Sequence, residues 1–249
     1  MARKPREYGK SEMYHVIIRG NNKQNIFYDN QDYNFLLYRL KKYSKQLEIK
    51  IFAYCLMSNH VHILIGNANK NMSKLMLKLN TSYSRYFNIK YERTGHLFQG
   101  RYLSKPVENE ARFKTVIRYI LQNPEKIGLS RFCDYPWNSF RETIESQNKY
   151  NIIDSSTVLS FFDKKKLFIK FTKQKNSDIC MEYEGTPVFS DNFYIKKIKE
   201  ILKLQNLFEL QKLDVPYIKT KIRILKNNGI PENRISRLIG ISRKFIHSC

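Results

Sequence analysis

Ile49-Lys50-Ile51-Phe52-Ala53-Tyr54-Cys55-Leu56-Met57-Ser58-Asn59-His60-Val61-His62-Ile63-Leu64-Ile65 is the stretch on which the fold turns. Two β-rich runs, Ile49 to Leu56 and His60 to Ile65, flank the short turn Met57-Ser58-Asn59, which predicts an antiparallel hairpin. Before it, Asp29 or Asn30 can cap a helix running to about Leu47, with Tyr33, Leu36, Leu37, Leu40 and Tyr43 as its apolar stripe. Earlier still, Tyr14 to Arg19 alternates as a strand and Gly20-Asn21-Asn22 stops it. After the hairpin, Met72 to Asn88 is a second amphipathic helix, with Met72, Leu75, Met76, Leu79, Tyr83, Tyr86 and Phe87 at helical spacing. Tyr102 to Val107 reads as a strand near a sheet edge, because Pro106 cannot donate to a ladder. Asn109 caps a helix running to Asn123, ended by Pro124. The order β-α-β-β-α-β, then a helix, predicts an α+β fold: a ferredoxin-like antiparallel sheet with two helices on one face. The other face is left for a site.

Composition narrows the function. The chain has 249 residues, 45 Lys plus Arg against 22 Asp plus Glu, and a net charge of +23. At 42% hydrophobic residues it can bury a core, so disorder is excluded as its main state. No run reaches the ~18 apolar residues of a membrane span, and no signal peptide opens the chain. Cys55, Cys133, Cys180 and Cys249 form neither a CxxC pair nor a disulfide framework. The expected location is the cytoplasm, nucleoid-associated, without a targeting signal. The charge points to nucleic acid as partner. It is not confined to one tail: residues 1–150 carry 26 basic and 12 acidic residues, and 151–249 carry 19 and 10. Residues 1–12 read as a basic arm. The expected organisation is a domain over 1–145, a partly helical connector over 146–205 and a small helical segment over 206–249.

The chemistry gathers on the hairpin's second strand. Residues two apart on a strand share a face, so His60 and His62 point together while Val61, Ile63 and Ile65 enter the core. Two neutral imidazoles side by side are half a metal site; taken alone, the pair reads as two polar strand residues on a solvated face. On the helix after Asn109, Phe113, Val116, Ile117, Ile120 and Leu121 form the buried stripe. Tyr119 and Asn123, read as i,i+4 neighbours, fall on its flank at ~100° per residue. Gln122 points away from the stripe. A phenol and an amide can therefore meet two imidazoles.

Five ordered motifs extend this reading. They are Tyr14-His15-Val16-Ile17-Ile18-Arg19-Gly20-Asn21-Asn22, the run from Tyr54 to His62, Gly95-His96-Leu97-Phe98-Gln99-Gly100-Arg101-Tyr102, Arg118-Tyr119-Ile120 with Asn123-Pro124, and Asp134-Tyr135-Pro136-Trp137-Asn138-Ser139. Over about residues 8–141 the chain resembles the HUH single-tyrosine transposases, especially the REP-associated tyrosine transposases. The resemblance implies an HUH endonuclease fold and an enzyme that nicks and rejoins single-stranded DNA at hairpin-forming repeats. It implies Tyr119 as nucleophile, forming a 5′-phosphotyrosine, and His60, His62 and Asn123 as ligands of a divalent metal. Mg²⁺ or Mn²⁺ fits such an open N/O site. Arg19, Arg93, Arg101, Lys105 and Arg118 are the candidate DNA contacts of this region. Single-stranded or hairpin DNA is the expected partner, with no membrane, and a homodimer is compatible with the reading.

Other residues read more plainly. Tyr83 and Tyr86 are core packing, Tyr102 a distant second nucleophile, His96 a loop-ordering residue and Trp137 a packing anchor. His15 reads as a structural hydrogen-bonding residue that could line the same sheet surface. The stretch from Ile235 to Ile246 resembles a helix-turn-helix, with Gly240 in the turn, Ser242 capping, and Arg243 and Lys244 facing DNA. A plain helical tail is its alternative. Two rival functions stand beside the transposase: a non-catalytic, domesticated repeat-DNA-binding protein, and an HUH replication initiator or relaxase. Initiators often carry a second tyrosine one turn away and relaxases a three-His cluster, and neither occurs around Tyr119 or His60.

Overall fold

The hairpin forms where the two β-rich runs place it: β2 spans Lys50–Met57 and β3 spans His60–Gly66. The computed structural model describes residues 9–145, 150–175, 180, 191–204, 210 and 213–249, so Arg3, Lys4 and Arg6 of the basic arm lie outside the described residues. Around the hairpin, β1 (Tyr14–Arg19) leads to α1 (Asn30–Gln46), and α2 (Met72–Lys90) leads to β4 (Leu103–Pro106). The four strands pair antiparallel in the order β2-β3-β1-β4, which is the ferredoxin-like arrangement. Pro106 closes β4, the edge strand, where its missing N–H leaves no ladder bond unmade.

Register decides which side chains face the site. Ile17 lies opposite His62 and Arg19 opposite His60. His15, Ile17 and Arg19 therefore share a face with both histidines, while Val16, Ile18, Val61, Ile63 and Ile65 fill the core on the other side. At the end of β1 the chain turns sharply at Gly20, where a side chain would strike the Gln24 carbonyl.

A buried carboxylate ties α1 to α2. Asp29 caps α1 by accepting from the backbone of Gln31 and Asp32, and Asp32 completes a capping box. The Asp32 carboxylate is fully buried and accepts from Tyr28 N at 2.8 Å, Tyr91 Oη at 2.7 Å, Lys90 Nζ at 2.9 Å and Tyr86 Oη at 3.0 Å. Burial alone would raise its pKa, but these donors outweigh burial and hold it below the usual carboxylate value.

After β4, α3 (Glu110–Leu121) is capped by Asn109 and packs on β2 and β3. Phe113 anchors it, with its ring 5.3 Å from Phe52 and 4.4 Å from Phe161. There follow α4 (Asn123–Lys126), α5 (Phe140–Ile144), α6 (Ser155–Ser160) and α7 (Lys165–Lys173). Val158, Phe162 and Phe168 join the same core as Phe113 and Phe140. The first compact unit accordingly runs to Tyr183, and residues 155–173, expected within a connector, belong to it. Helices of six and nine residues are too short to show a stripe in sequence.

The second unit, Glu184–Cys249, contains α8 (Asp191–Leu202), α9 (Val215–Asn227), α10 (Glu232–Ile239) and α11 (Arg243–His247) around Ile198, Ile222, Leu225, Ile235 and Ile246. Gly240 ends α10 at φ +77° and the Ser242 side chain caps α11. Among the described residues no helix is long and apolar enough to cross a membrane.

Candidate active site

Three histidines, not two, line the site face. His15 and His62 are 1% and 2% exposed. Their rings stack at 5.2 Å, with His15 Nε2 2.9 Å from His62 Nδ1. His60, partly exposed, stands edge-on to His62 at 4.9 Å, and its Nδ1 lies 2.6 Å from Asn59 Oδ1. Burial comes first in lowering all three pKa values. It holds His15 at about 3, with help from Arg112. His60 falls to about 4, pushed further by Arg19. His62 lies well below the ordinary value, with His60, His15, Lys126 and Arg19 adding repulsion. The three rings are neutral at physiological pH.

Tyr119 reaches this cluster from α3. Its side chain is 1% exposed, with the ring 5.7 Å from His62 and 5.9 Å from His15, both edge-on. Lys126 Nζ lies over the same ring, 3.9 Å from its centroid.

The helix carrying Tyr119 does not run to Asn123. It ends at Leu121, and Asn123 opens the separate turn α4. Pro124 has no N–H to continue the ladder, and its ring crowds the carbonyl four residues back, so the chain breaks and restarts. Gln122, at the junction, donates to Thr172 O at 2.6 Å and Gln174 O at 2.9 Å, while Asn138 Nδ2 reaches Leu121 O at 3.4 Å. Asn123 is thereby brought to the sheet from the restarted turn: it is 6% exposed and shares a hydrogen bond with His60.

The donors fit a divalent metal. His62 Nδ1 is engaged by His15 and His60 Nδ1 by Asn59, as in ligating histidines, and His60 also shares a hydrogen bond with Asn123. Asn123 accepts from His60, so its amide oxygen already faces the imidazole; its Nδ2, a donor and no metal ligand, is buried without a hydrogen-bond partner among the described residues. His15 directs Nε2 at His62 rather than at a shared centre. Accordingly, no set of three His, Cys, Asp or Glu side chains among the described residues is arranged as a metal cluster. The donor set is two imidazoles and an amide oxygen.

The basic residues separate. Arg19 sits opposite His60 at the end of β1, and Lys105 is exposed on β4 opposite His15. Arg93 donates to Gln24 Oε1 at 2.8 Å and lies over the Phe87 ring. Arg101 lines a cleft of about 610 Å³ with Asn21, Asn80, Ser84 and His96. Arg118 turns to α7, stacking on Phe171 at 4.3 Å and reaching Gln174 at 3.4 Å, so the structure does not bring it to the histidines. In the second unit Lys244 is exposed, and the side chain of Arg243 lies outside the described residues. Sequence reading passes over Lys126. Its signal is Pro124, which marks the break after which the chain turns back over Tyr119.

Residues 10–123 match the sequence profile of the IS200-like transposases. This region belongs to the IS200-like transposase family. The matched stretch of this IS200-like domain begins before β1 and ends on Asn123, so it contains His15, His60, His62 and Tyr119 and stops short of Lys126. No curated protein sequence matches the chain. Among solved structures, a REP-associated tyrosine transposase bound to a REP hairpin aligns with a TM-score of 0.52 and 15% identity, over 76% of this chain and 100% of that one. It shares the α+β fold. A crystal structure from Deinococcus radiodurans R1, of a protein named as a transposase candidate, aligns at 20% identity and a TM-score of 0.34, over 48% of this chain and 95% of that one.

Proposed function

We propose that the IS200-like domain cleaves and rejoins single-stranded DNA through a covalent bond to Tyr119, at hairpin-forming repeats. The observation that carries this reading is the Tyr119 ring held against His15 and His62, beside His60 and Asn123, on one sheet face. A lone buried tyrosine would be core packing. A tyrosine enclosed by neutral imidazoles, with an amide beside them, supports the reading of a nucleophile with a phosphate-binding neighbourhood. The structural neighbour is a transposase bound to a REP hairpin, which supports a hairpin as the substrate.

His60, His62 and Asn123 would hold the divalent metal. When bound, it supplies Lewis-acid polarisation of the scissile phosphate. The remaining work belongs to the chain. His15 and Asn59 orient the two imidazoles. Tyr119 Oη bonds to phosphorus, the P–O3′ bond breaks, and the products are a 5′-phosphotyrosine and a 3′-hydroxyl. A phenolate is a good leaving group, so a second 3′-hydroxyl reverses the step without a nucleotide cofactor. Arg19 and Lys105 flank the face and serve as phosphate contacts. The second unit, with a helix, a glycine turn and a capped helix at α10–α11, is proposed as the helix-turn-helix that positions the DNA.

The test is incubation with labelled single-stranded hairpin DNA and Mn²⁺. Wild type is expected to give a covalent protein–DNA adduct and Tyr119→Phe none. Tight hairpin binding by the wild type with no adduct on any substrate would favour the non-catalytic DNA-binding protein.

A further inference from the structure

We propose that Lys126 is a catalytic residue of the Tyr119 reaction, its ammonium holding the negative charge that develops on Tyr119 Oη as the phosphotyrosine bond forms and breaks. This rests on the reading of Tyr119 as the nucleophile. Lys126 lies outside the stretch that matches the family profile, and it owes its place to the break at Pro124. Asn123 and Lys126 are the first and last residues of α4, so one turn delivers an amide to His60 and an ammonium to Tyr119.

The turn is well anchored. Gln122 O accepts from Glu125 N at 3.0 Å and Lys126 N at 3.2 Å, and Leu129 N donates to Pro124 O at 2.9 Å. The Gln122 side chain fixes the whole junction to Thr172 and Gln174. The backbone of Lys126 is therefore held while its side chain is exposed to an incoming strand. Its Nζ, 3.9 Å from the Tyr119 ring centroid, is the cation that packs on this ring among the described residues. Its charge is also felt at His62, which it helps to keep neutral.

The chemistry gives this placement a use. In cleavage, Tyr119 Oη bonds to phosphorus and the P–O3′ bond breaks. The phenol proton is lost to solvent and the departing O3′ takes one up. In strand transfer an incoming 3′-oxygen bonds to phosphorus and loses its proton to solvent. The Oη–P electron pair then returns to Oη, which leaves as a phenolate and is reprotonated. Lys126 stays a cation throughout and transfers no proton. It stabilises the oxygen in both directions, because the charge on Oη passes through the same position on the way in and out.

The experiment uses the full chain, a labelled single-stranded hairpin and Mn²⁺. Lys126→Met is expected to slow both adduct formation and adduct reversal by about 10–100-fold, and Lys126→Arg, which keeps the cation, to retain most of the rate. Hairpin affinity measured with EDTA, and its salt dependence, should stay at the wild-type value. Placing 3,5-difluorotyrosine at position 119 makes the phenolate intrinsically more stable, so it should restore much of the rate of Lys126→Met and change wild type little. A Lys126→Met protein as fast as wild type overturns the proposal. So does a slow one whose defect is a loss of affinity, or one that the fluorinated tyrosine does not rescue. If wild type itself forms no adduct, the nucleophile reading fails and this proposal falls with it. Unchanged Trp137 fluorescence confirms that the variants are folded.

Discussion

Acidification should destabilise the first unit through His15, and the size of the effect follows from its burial. His15 is 1% exposed, and burial together with Arg112 lowers its pKa to about 3 in the folded protein. In the unfolded chain a histidine titrates near ~6.5. Between these values the unfolded chain binds the extra proton, so the stability His15 contributes is complete above ~6.5 and is lost as pH falls through that window. The limiting slope is about 1.4 kcal/mol per pH unit, and integration from pH 7 to pH 5 gives about 2 kcal/mol from this residue alone. Trp137 is the single tryptophan of the chain and stacks on Tyr33 at 4.3 Å, so its fluorescence reports unfolding of the first unit. Urea unfolding followed at Trp137 with EDTA present, at pH 7 and pH 5, measures the loss. His15→Gln keeps a hydrogen-bonding side chain beside His62 and removes the titration, so its loss should be smaller than wild type's by about 2 kcal/mol. Equal pH dependence in the two proteins would refute the reasoning, because His15 would then not be a buried neutral ring.

Three further outcomes follow from particular contacts. Asp32→Ala leaves the Tyr28 N–H and the Tyr86 hydroxyl without their acceptor, while Lys90 keeps its pairing with Asp29, and should cost about 1–3 kcal/mol in the same urea assay. His62→Ala should abolish tight Mn²⁺ binding read by electron paramagnetic resonance, while His15→Ala, which removes only the partner of His62, should weaken it about 10–100-fold. Ser242→Ala removes the cap that accepts from Phe245 N, and should lower the stability of the second unit by about 0.5–2 kcal/mol in circular-dichroism melts while leaving the Trp137 transition unmoved.

The two long helices were legible from their period, and the strands as β-rich runs bounded by turn residues. The 17 residues of α1 and 19 of α2 carry full apolar stripes, and β1 and β3 open on alternation, Tyr14-His15-Val16 and His60-Val61-His62, before running into apolar residues. Alternation likewise put His60 and His62 on one face. Sequence also named Tyr119, but as a residue on the flank of its helix. The structure buries it, because the imidazoles and Lys126 enclose the ring that the helix stripe leaves uncovered. Three features depended on tertiary pairing and gave no local signal. His15 meets His62 only through the β1–β3 register. Asp32 gains its donors from α2, more than fifty residues away. Lys126 reaches Tyr119 only because Pro124 breaks the helix that periodicity would have continued.

The most direct test of the central claim is to trap the adduct formed by wild-type protein on single-stranded hairpin DNA with Mn²⁺, digest it, and locate the nucleotide by mass spectrometry. The account predicts a phosphate-linked nucleotide on the peptide containing Tyr119, joined through the 5′ side of the cleaved strand. A nucleotide on another residue, such as Tyr102, or an adduct joined through the 3′ side, would contradict it.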